Sequence, residues 1–253
     1  MSTSEANPQA PDELVGMSLM EHLEELRSRL IKGVAAFIVG TVAAWFLYDA
    51  ILEILVIPLK QLDVSDEIIS DGRLIFTAPT EAFFVRLKVV AFSGLILSLP
   101  VLLWQAWRFV TPGLYKKEKR YAFPFVLVSM LLFAGGAAFA YATLPMALRV
   151  LTAFGGSDLV LLPRASEYLS FVMLVVGAFG LAFEFPLVLL ALTLVGVITT
   201  DTLRKGRRVA WIVILIVAAV VTPTQDPITL MIMSIPLAIL YEATILVARL
   251  MRR

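Results

Sequence analysis

The sequence predicts an all-α integral membrane protein in which six helices cross the bilayer. Of its 253 residues, 60% are hydrophobic and 16% are charged, and the mean hydropathy is +0.90. A soluble domain of ordinary composition carries about 25% charged residues. The apolar residues form six consecutive segments, and most lysines and arginines lie beside the ends of these segments. These observations exclude an ordinary soluble domain and predict a bundle of membrane-spanning helices.

The six spans are predicted at residues 33–57, 82–107, 121–144, 168–192, 209–222 and 228–248. The first four have about 20 residues or more, which is enough to cross a hydrocarbon layer of about 30 Å. The fifth contains only the apolar run Val209–Val221, about 20 Å of helix. The sixth meets Glu242 before its end, so we expect it to be short as well. Local thinning of the bilayer accommodates short spans, and we expect these two to form a hairpin through Thr222–Pro227.

Prolines interrupt the predicted spans. A proline inside a helix removes a backbone donor and can kink the helix, which a membrane bundle tolerates when neighbouring groups satisfy the freed carbonyl. We therefore expect a curved bundle with a concave face. The prolines are Pro100, Pro124, Pro145, Pro186 and Pro236.

The distribution of basic residues predicts the orientation of the bundle. Of the 21 lysines and arginines, 15 fall on the side that holds both chain termini in a six-span arrangement. Cytoplasmic segments collect such residues, so both termini are expected in the cytoplasm. Residues 1–20 are polar and contain no basic residue, unlike a signal or transit peptide. We expect a flexible tail at 1–20, a membrane domain at 21–249, a basic C-terminus at 250–253, and a prokaryotic plasma membrane as the location.

The composition also excludes several kinds of site. The chain has no cysteine and one histidine, His22, so it cannot form a disulfide, a thiolate nucleophile or a histidine-pair metal site. It contains no glycine-rich phosphate loop, no His-Glu-x-x-His helix and no nucleophile elbow. We expect no enzymatic activity, no cofactor and no nucleic-acid partner.

Two glutamates, Glu25 and Glu118, lie in the most conspicuous basic clusters. Glu25 belongs to Ser18–Leu30, which reads as a short amphipathic helix with Leu19, Leu23, Leu26 and Leu30 facing the membrane. Glu118 belongs to Thr111–Arg120. Because a guanidinium can make two parallel hydrogen bonds to one carboxylate, two such acids could hold two adjacent arginines. Alternatively each acid only offsets nearby cations, through weak pairs such as Glu24–Arg27 and Glu25–Arg29.

Glu184 lies well inside the fourth predicted span. A charged carboxyl near the bilayer centre costs about 2.5 kcal/mol or more, so such a residue is a functional hypothesis by default. The alternative is a neutral, hydrogen-bonded packing residue. Glu81, which follows Thr80, and Asp226 are more plausibly helix-start residues, and Glu242 is ambiguous. Glu184 also allows a proton-coupled transporter, although the chain shows neither internal repeats nor converging polar groups. A purely structural scaffold is a third alternative.

Several segments resemble the TatC family of twin-arginine protein translocase subunits, in matching order from about residue 17 onward. A departure is Lys119, where the family often has arginine. The matching segments are HLEELRSRL (22–30), LIFTAPTEAFFVRLKV (74–89), FVTPGLYKKEKR (109–120), FAGGAAFAYATLP (133–145), YLSFVMLVVGAFGLAFEFPLV (168–188), LRKGRRVAW (203–211) and TPTQDPITLMIMSIPLAILYE (222–242).

The resemblance implies a receptor for signal peptides with two consecutive arginines, in a complex that exports folded proteins with the proton-motive force. The acids that the family uses for recognition fall on Glu25 and Glu118, and we place Arg27 and Leu23 in the same site. The family's intramembrane acid falls on Glu184. TatB-like and TatA-like single-span subunits are expected against the last two helices, near Val213, Val217 and Met231. Several copies of the chain per complex are expected within the lipid bilayer.

Overall fold

The computed structural model describes residues 19–62, 74–110, 122–153, 162–194, 196–221 and 227–251. These residues form helices joined by short turns, and one isolated bridge between extended residues. The helices are α1 (Leu19–Phe46), α2 (Tyr48–Lys60), α3 (Pro79–Val110), α4 (Ala122–Ala153), α5 (Ala165–Leu194), α6 (Thr200–Lys205), α7 (Arg207–Val221) and α8 (Pro227–Met251).

Five helices in the described ranges are long and apolar enough to cross a membrane, namely α1, α3, α4, α5 and α8. The fifth predicted span corresponds to α7, which has 15 residues and a length of about 22 Å. That is shorter than a hydrocarbon layer of about 30 Å. The prediction of six spans, and of both termini in the cytoplasm, therefore stays a prediction. The helix boundaries differ slightly from the predicted domain limits, because α1 begins at Leu19 and α8 ends at Met251.

The first predicted span, 33–57, is not one helix. The membrane-spanning helix α1 ends at Phe46, and after Leu47 the chain begins α2, which packs against α3 and α4. Helix α2 buries one side, with Leu55, Val56 and Leu59 almost inaccessible. An apolar sequence pattern cannot separate a spanning helix from an apolar helix that packs across the end of a bundle.

Pro58 inside α2 has a physical consequence for its neighbours. A proline has no backbone N–H, so the carbonyl four residues earlier, on Ile54, loses its helical donor. The hydroxyl of Tyr141 from α4 donates to that carbonyl. The hydroxyl of Tyr168 from α5 donates to the adjacent carbonyl of Leu55 at 2.9 Å. Neighbouring helices thus satisfy the backbone near the proline and fix α2 on the bundle.

The sixth predicted span is longer than expected. Helix α8 has 25 residues, and the expectation that it would be short is wrong. Glu242 does not end the helix, because its carboxylate accepts a hydrogen bond from the Arg207 guanidinium at 2.7 Å. The partner cation lets an acidic residue remain within an otherwise apolar helix.

Helix α5 is the centre of the bundle. Of its spanning segment 56% is buried, against 11% for that of α1. Leu169, Val172 and Phe179 are almost completely inaccessible, and α5 contacts α3, α4, α7 and α8. Helix α1 packs along α3 at the edge of the bundle.

Helices α1 and α3 approach closely because small residues lie where they cross. A Cβ atom added at Gly94 would lie 2.7 Å from the Thr41 backbone nitrogen. One added at Gly40 would lie 2.5 Å from the Gly94 carbonyl oxygen. Any side chain at either position would separate the helices.

Backbone hydrogen bonds join the segments that precede α3 and α5 at one end of the bundle. Ile75 donates to the carbonyl of Pro163 at 3.0 Å, and Ala165 donates to the carbonyl of Ile75 at 2.8 Å. Glu81 accepts hydrogen bonds from the backbone and hydroxyl of Thr77 at 2.8 and 3.1 Å. Glu81 is thus a helix-start residue as predicted, with Thr77 as its partner, whereas Asp226 lies outside the described residues.

Candidate functional site

Glu25 lies near the start of α1, on the side that faces α3. Its side chain is 15% exposed, whereas Leu23 is 57% exposed and Arg27 is exposed. Leu26 and Leu30 are exposed as well, so these three leucines face outward as the amphipathic pattern predicts. Glu25 is less accessible than the sequence suggested, because α3 covers it.

Glu25 forms an internal ion pair. Its Oε1 accepts a hydrogen bond from Arg29 Nη2 at 2.9 Å. Arg29 Nη1 in turn donates to Gln105 Oε1 of α3 at 3.2 Å. The alternative interpretation of a Glu25–Arg29 pair is thus confirmed, while Glu24 pairs with no cation among the described residues.

The second oxygen of the Glu25 carboxylate, Oε2, is buried, and no described residue donates a hydrogen bond to it. A carboxylate has about four acceptor positions, and an unsatisfied buried acceptor costs about 1–3 kcal/mol. Arg29 therefore holds Glu25 in a fixed orientation while one oxygen remains able to accept a further donor.

Glu118 lies outside the described residues, so its position relative to Glu25 stays a prediction. The helices that flank its loop are in contact at this end of the bundle. Trp107 of α3 stacks on Phe125 of α4, with ring centroids 3.9 Å apart and an angle of 20° between the rings. This stack joins the end of α3 to the start of α4.

Glu184 is buried inside α5, with 9% of the residue exposed. Its Oε2 accepts a hydrogen bond from the Ser129 hydroxyl of α4 at 2.6 Å. Its Oε1 is buried, and within the described part of the chain nothing donates to it. Glu184 is thus hydrogen-bonded, in agreement with the alternative interpretation, and still has one oxygen available.

Glycines bring Ser129 and Glu184 together. A Cβ atom added at Gly136 of α4 would lie 2.5 Å from the Phe179 carbonyl oxygen of α5. One added at Gly180 of α5 would lie 2.7 Å from the Phe133 ring of α4. The helices can therefore approach until the short serine side chain reaches the carboxylate.

An apolar groove of about 350 Å³ opens beside this pair. It lies between α4, α5 and α8, and Phe125, which stacks on Trp107, forms part of its wall. The groove thus begins at the end of the bundle that holds Glu25 and continues toward the level of Glu184. Its lining is Pro124, Phe125, Val128, Leu132, Pro186, Leu187, Leu190, Leu194, Leu240, Ala243, Thr244 and Val247.

The residues predicted to contact partner helices are accessible. Val213 and Val217 of α7 and Met231 of α8 are all exposed. In α7 the only residue that the bundle buries is Ala218. Nearly the whole surface of this helix is therefore open to lipid or to another helix.

Sequence reasoning missed two residues of these sites. Ser129 lies 55 residues before Glu184, and Gln105 lies 76 residues after Arg29. Neither occupies a motif position, and a single serine or glutamine in an apolar segment does not identify its partner. The Gly135–Gly136 pair was the available signal that α4 approaches another helix closely at this level.

Both candidate sites consist of a single carboxylate with hydrogen-bond partners from the bundle. No group of three or more His, Asp or Glu side chains among the residues searched could hold a metal ion. Each site holds a carboxylate with one oxygen bonded internally and the other buried without a donor among the described residues. Such groups bind cationic or polar hydrogen-bond donors.

Comparison with known proteins gives a consistent result. The family model described as Sec-independent protein translocase protein (TatC) matches residues 21–236. The chain is 39% identical over 237 residues to the Sec-independent protein translocase protein TatC of Frankia casuarinae, covering 91% of this chain and 65% of that relative. It is 40% identical over 240 residues to the TatC protein of Aquifex aeolicus, covering 94% and 97% of the two chains.

A solved structure is also similar. The crystal structure of a twin-arginine translocase receptor, TatC in DDM, superimposes with a TM-score of 0.76 at 40% sequence identity. The superposition covers 90% of this chain and 99% of that one. The similarity therefore extends over nearly the whole fold.

Proposed function

The chain belongs to the TatC family of Sec-independent protein translocase proteins, and from this premise we propose that it binds twin-arginine signal peptides at the cytoplasmic face. It is a multi-pass membrane protein of a bacterial protein translocase, a transport component rather than a catalytic enzyme. In the proposed function its cargo is already folded, its membrane is the plasma membrane, and export uses the proton-motive force. Both chain termini then lie in the cytoplasm.

The open oxygen of Glu25 is the observation that supports this proposal most directly. Arg29 occupies Oε1 and leaves the buried Oε2 without a donor among the described residues. One arginine of the signal peptide donates to Oε2, while Arg29 keeps the carboxylate oriented. Charge-assisted hydrogen bonds of this kind are about twice as strong as neutral ones. Arg27 and Leu23, exposed on the same helix, then contact the residues beside the arginine pair.

The second arginine requires a second carboxylate. We assign that role to Glu118 on the basis of the family motif in Phe109–Arg120. The loop that carries it leaves the end of α3, the helix that bonds to Arg29 through Gln105. Two acids from separate elements favour an arginine pair over a lysine pair, because a guanidinium is more weakly hydrated than an ammonium and loses less on entering a covered site.

The contacts of the two carboxylates contribute too little free energy to explain micromolar binding of a signal peptide. Exposed arginine–carboxylate pairs contribute about 0.2–1 kcal/mol each, and a hydrogen bond to a charged group in a covered position contributes about 1.5–3 kcal/mol. Micromolar binding requires about 8 kcal/mol. The remainder comes from the apolar segment of the signal peptide, at about 0.8 kcal/mol for each buried CH₂ group.

We place that apolar segment in the groove between α4, α5 and α8. Its lining is almost entirely apolar, and its wall includes Phe125, next to the Trp107 stack at the end of α3. A peptide whose arginines lie at Glu25 therefore has an apolar groove at the same end of the bundle for its apolar segment. The glutamates supply specificity, and the groove supplies most of the binding free energy.

Partner subunits complete the proposed complex. Single-span subunits of the TatB and TatA kind pack against α7 and α8, where Val213, Val217 and Met231 are exposed. The open oxygen of Glu184 accepts a polar group from a helix that enters the membrane beside it. Several copies of the chain assemble in each complex.

Replacing both recognition acids tests the proposal. We expect Glu25→Ala with Glu118→Ala to abolish export of a twin-arginine reporter, because both acceptors for the arginine pair are lost. Glu25→Gln with Glu118→Gln should also abolish export, although the amide oxygen at position 25 can still accept the hydrogen bond from Arg29. The measurement is reporter export from cells, with membrane levels of each variant determined in parallel.

Glu24→Gln is the matched control, since Glu24 is exposed and adjacent to Glu25; it should leave export unchanged. In crosslinking, a twin-arginine peptide should label residues 22–30 and 109–120, and a lysine-pair peptide should do so poorly. Undiminished export in the double glutamine variant, at normal membrane levels, would refute the role of the two acids.

A further inference from the structure

A cation in α3 has no carboxylate partner among the described residues. Arg86 forms none of the ion pairs in the described part of the chain. Its guanidinium carbon lies 4.6 Å from the ring centroid of Trp45 and 4.6 Å from that of Tyr48. Its Nε is buried and finds no acceptor there. The guanidinium is thus held by two aromatic rings at the junction of α1, α2 and α3, and no carboxylate of a described residue forms an ion pair with it.

The two rings that hold Arg86 belong to side chains with hydrogen-bond donors, and the Asp49 carboxylate, which acts on the Tyr48 hydroxyl, forms no ion pair with Arg86. A cation over a ring face uses the ring's π electrons, which leaves the in-plane N–H groups of the guanidinium available. The indole N–H of Trp45 and the hydroxyl of Tyr48 lie beside it, and neither bonds to a described residue. Burial raises the pKa of Tyr48, against the opposing effect of Arg86, so its hydroxyl stays protonated and able to donate. Arg86 and the two residues whose rings hold it thus each carry a hydrogen-bond donor.

The position of Arg86 along α3 places it at the boundary of the hydrocarbon layer. The spanning segment Pro79–Phe109 has 31 residues, a length of about 46 Å. A hydrocarbon layer of about 30 Å leaves about 8 Å of helix beyond each boundary. Arg86 lies about 10 Å along the helix from Pro79. Trp and Tyr are the residues enriched at this depth, and the nearby Phe46 is 82% exposed.

We propose that Arg86, Trp45 and Tyr48 bind the phosphate of a phospholipid from the leaflet that surrounds the start of α3. A charge close to the hydrocarbon layer is costly without a partner, and the lipid phosphate is the abundant anion at that depth. The planar fork of arginine fits two phosphate oxygens. The bound lipid would hold its headgroup at the break between α1 and α2, a role separate from recognition at Glu25.

Lipid binding to the purified full-length chain tests this proposal. We expect native mass spectrometry with added phosphatidylglycerol to show about tenfold weaker binding for Arg86→Gln, as expected for the loss of a charge-assisted hydrogen-bonded contact. Arg86→Lys should be intermediate, because it keeps the charge but not the fork. Lys88→Gln is the matched control: it removes the same charge from the same helix, and its Nζ lies 3.5 Å from Ser170 instead. Its affinity should match that of the unmodified protein.

Tyr48→Phe separates binding from folding, because it keeps the ring face that contacts Arg86 and removes the hydroxyl donor. It should weaken lipid binding severalfold at an unchanged melting temperature. If Arg86→Gln does not fold, this variant tests whether the site binds lipid. Equal lipid affinity in all variants, or equal loss in Lys88→Gln, would overturn the site. Inorganic phosphate that binds as tightly as the lipid would overturn the assignment to a lipid.

Discussion

At the scale of single residues, the carboxylates of the two candidate sites are each hydrogen-bonded through one oxygen only. Glu25 is oriented by Arg29, and Glu184 is oriented by Ser129. In each case the second oxygen is buried and, among the residues described, without a donor. An internal partner that holds one oxygen reduces the freedom of the side chain before a ligand arrives, which lowers the entropic cost of binding.

Ser129→Ala should destabilise the protein. The substitution removes the donor to a buried carboxylate, so we expect the free energy of unfolding to fall by about 1–3 kcal/mol. The measurement is thermal unfolding in detergent. Ser129→Thr keeps a hydroxyl, so it should lower the free energy of unfolding less than Ser129→Ala does.

A double substitution distinguishes the loss of the hydrogen bond to Glu184 from a simple loss of packing at residue 129. Ser129→Ala combined with Glu184→Leu removes both partners and should be less destabilised than Ser129→Ala alone. Glu184→Leu should nonetheless reduce export, because the open oxygen is lost. An unchanged melting temperature in Ser129→Ala, or full export in Glu184→Leu, would contradict these roles.

The sequence could predict which residues of the sites are acidic, but not how each one is held. Helical spacing predicted the Glu25–Arg29 pair, because residues four apart are neighbours on a helix. It could not predict Gln105 or Ser129, which reach the sites from other helices. Long-range side-chain partners depend on how helices cross, and one apolar sequence is compatible with many crossings.

At the scale of helices, two neighbouring glycines of α4 differ in how closely they approach another helix. Gly136 faces α5, where an added Cβ would meet the Phe179 carbonyl oxygen at 2.5 Å. A Cβ added at Gly135 would have nothing within 4 Å. The pair therefore provides a test of close packing within one helix turn.

Gly136→Ala should destabilise the bundle by about 1–3 kcal/mol, because the backbone of α5 cannot move away locally. It should also lengthen the Ser129–Glu184 contact and lower export. Gly135→Ala should be neutral or slightly stabilising, since alanine favours a helix by about 0.5–1 kcal/mol. Thermal unfolding and reporter export measure both effects. Equal melting temperatures for the two variants would refute the close-packing explanation.

Helix identities were predictable from the sequence, whereas several helix lengths were not. Apolar runs gave α3 and α5 to within three residues at each end, but α4 continues through Pro145 to Ala153, nine residues beyond its predicted end. The break at Leu47 was missed because Ile51–Ile57 is as apolar as the membrane-spanning run before it. The length of α8 was underestimated because the Arg207 partner of Glu242 comes from another helix. Both errors arise where tertiary contacts decide whether a segment crosses the membrane.

At the scale of the whole molecule, the bundle is asymmetric in its membrane contacts. Helix α5 is surrounded by other helices, whereas α7 buries only Ala218 among its 15 residues. If α7 crosses the membrane as proposed, about 22 Å of helix must match about 30 Å of hydrocarbon. The bilayer beside α7 then has to be thinner than elsewhere.

Spin labels along α7 test this expectation. The chain has no cysteine, so single cysteines can be introduced without background labelling. Labels at Val209 and Val220, both exposed, should be accessible to a water-soluble relaxation agent. A label at Ile239 in α8, also exposed, should not be. Ordinary membrane depth for labels throughout Val209–Val221 would rule out thinning.

The hydrogen bonds that join Ile75 to Pro163 and Ala165 fix where a rearrangement of α3 against α5 can pivot. With this end tied, any relative tilt of the two helices displaces their far ends most. Helix α5 has 30 residues, a lever arm of about 45 Å. A tilt of about 5° would shift its far end by about 4 Å over that length. Small angular changes are therefore amplified on the side where the groove opens, while the tied side stays nearly stationary.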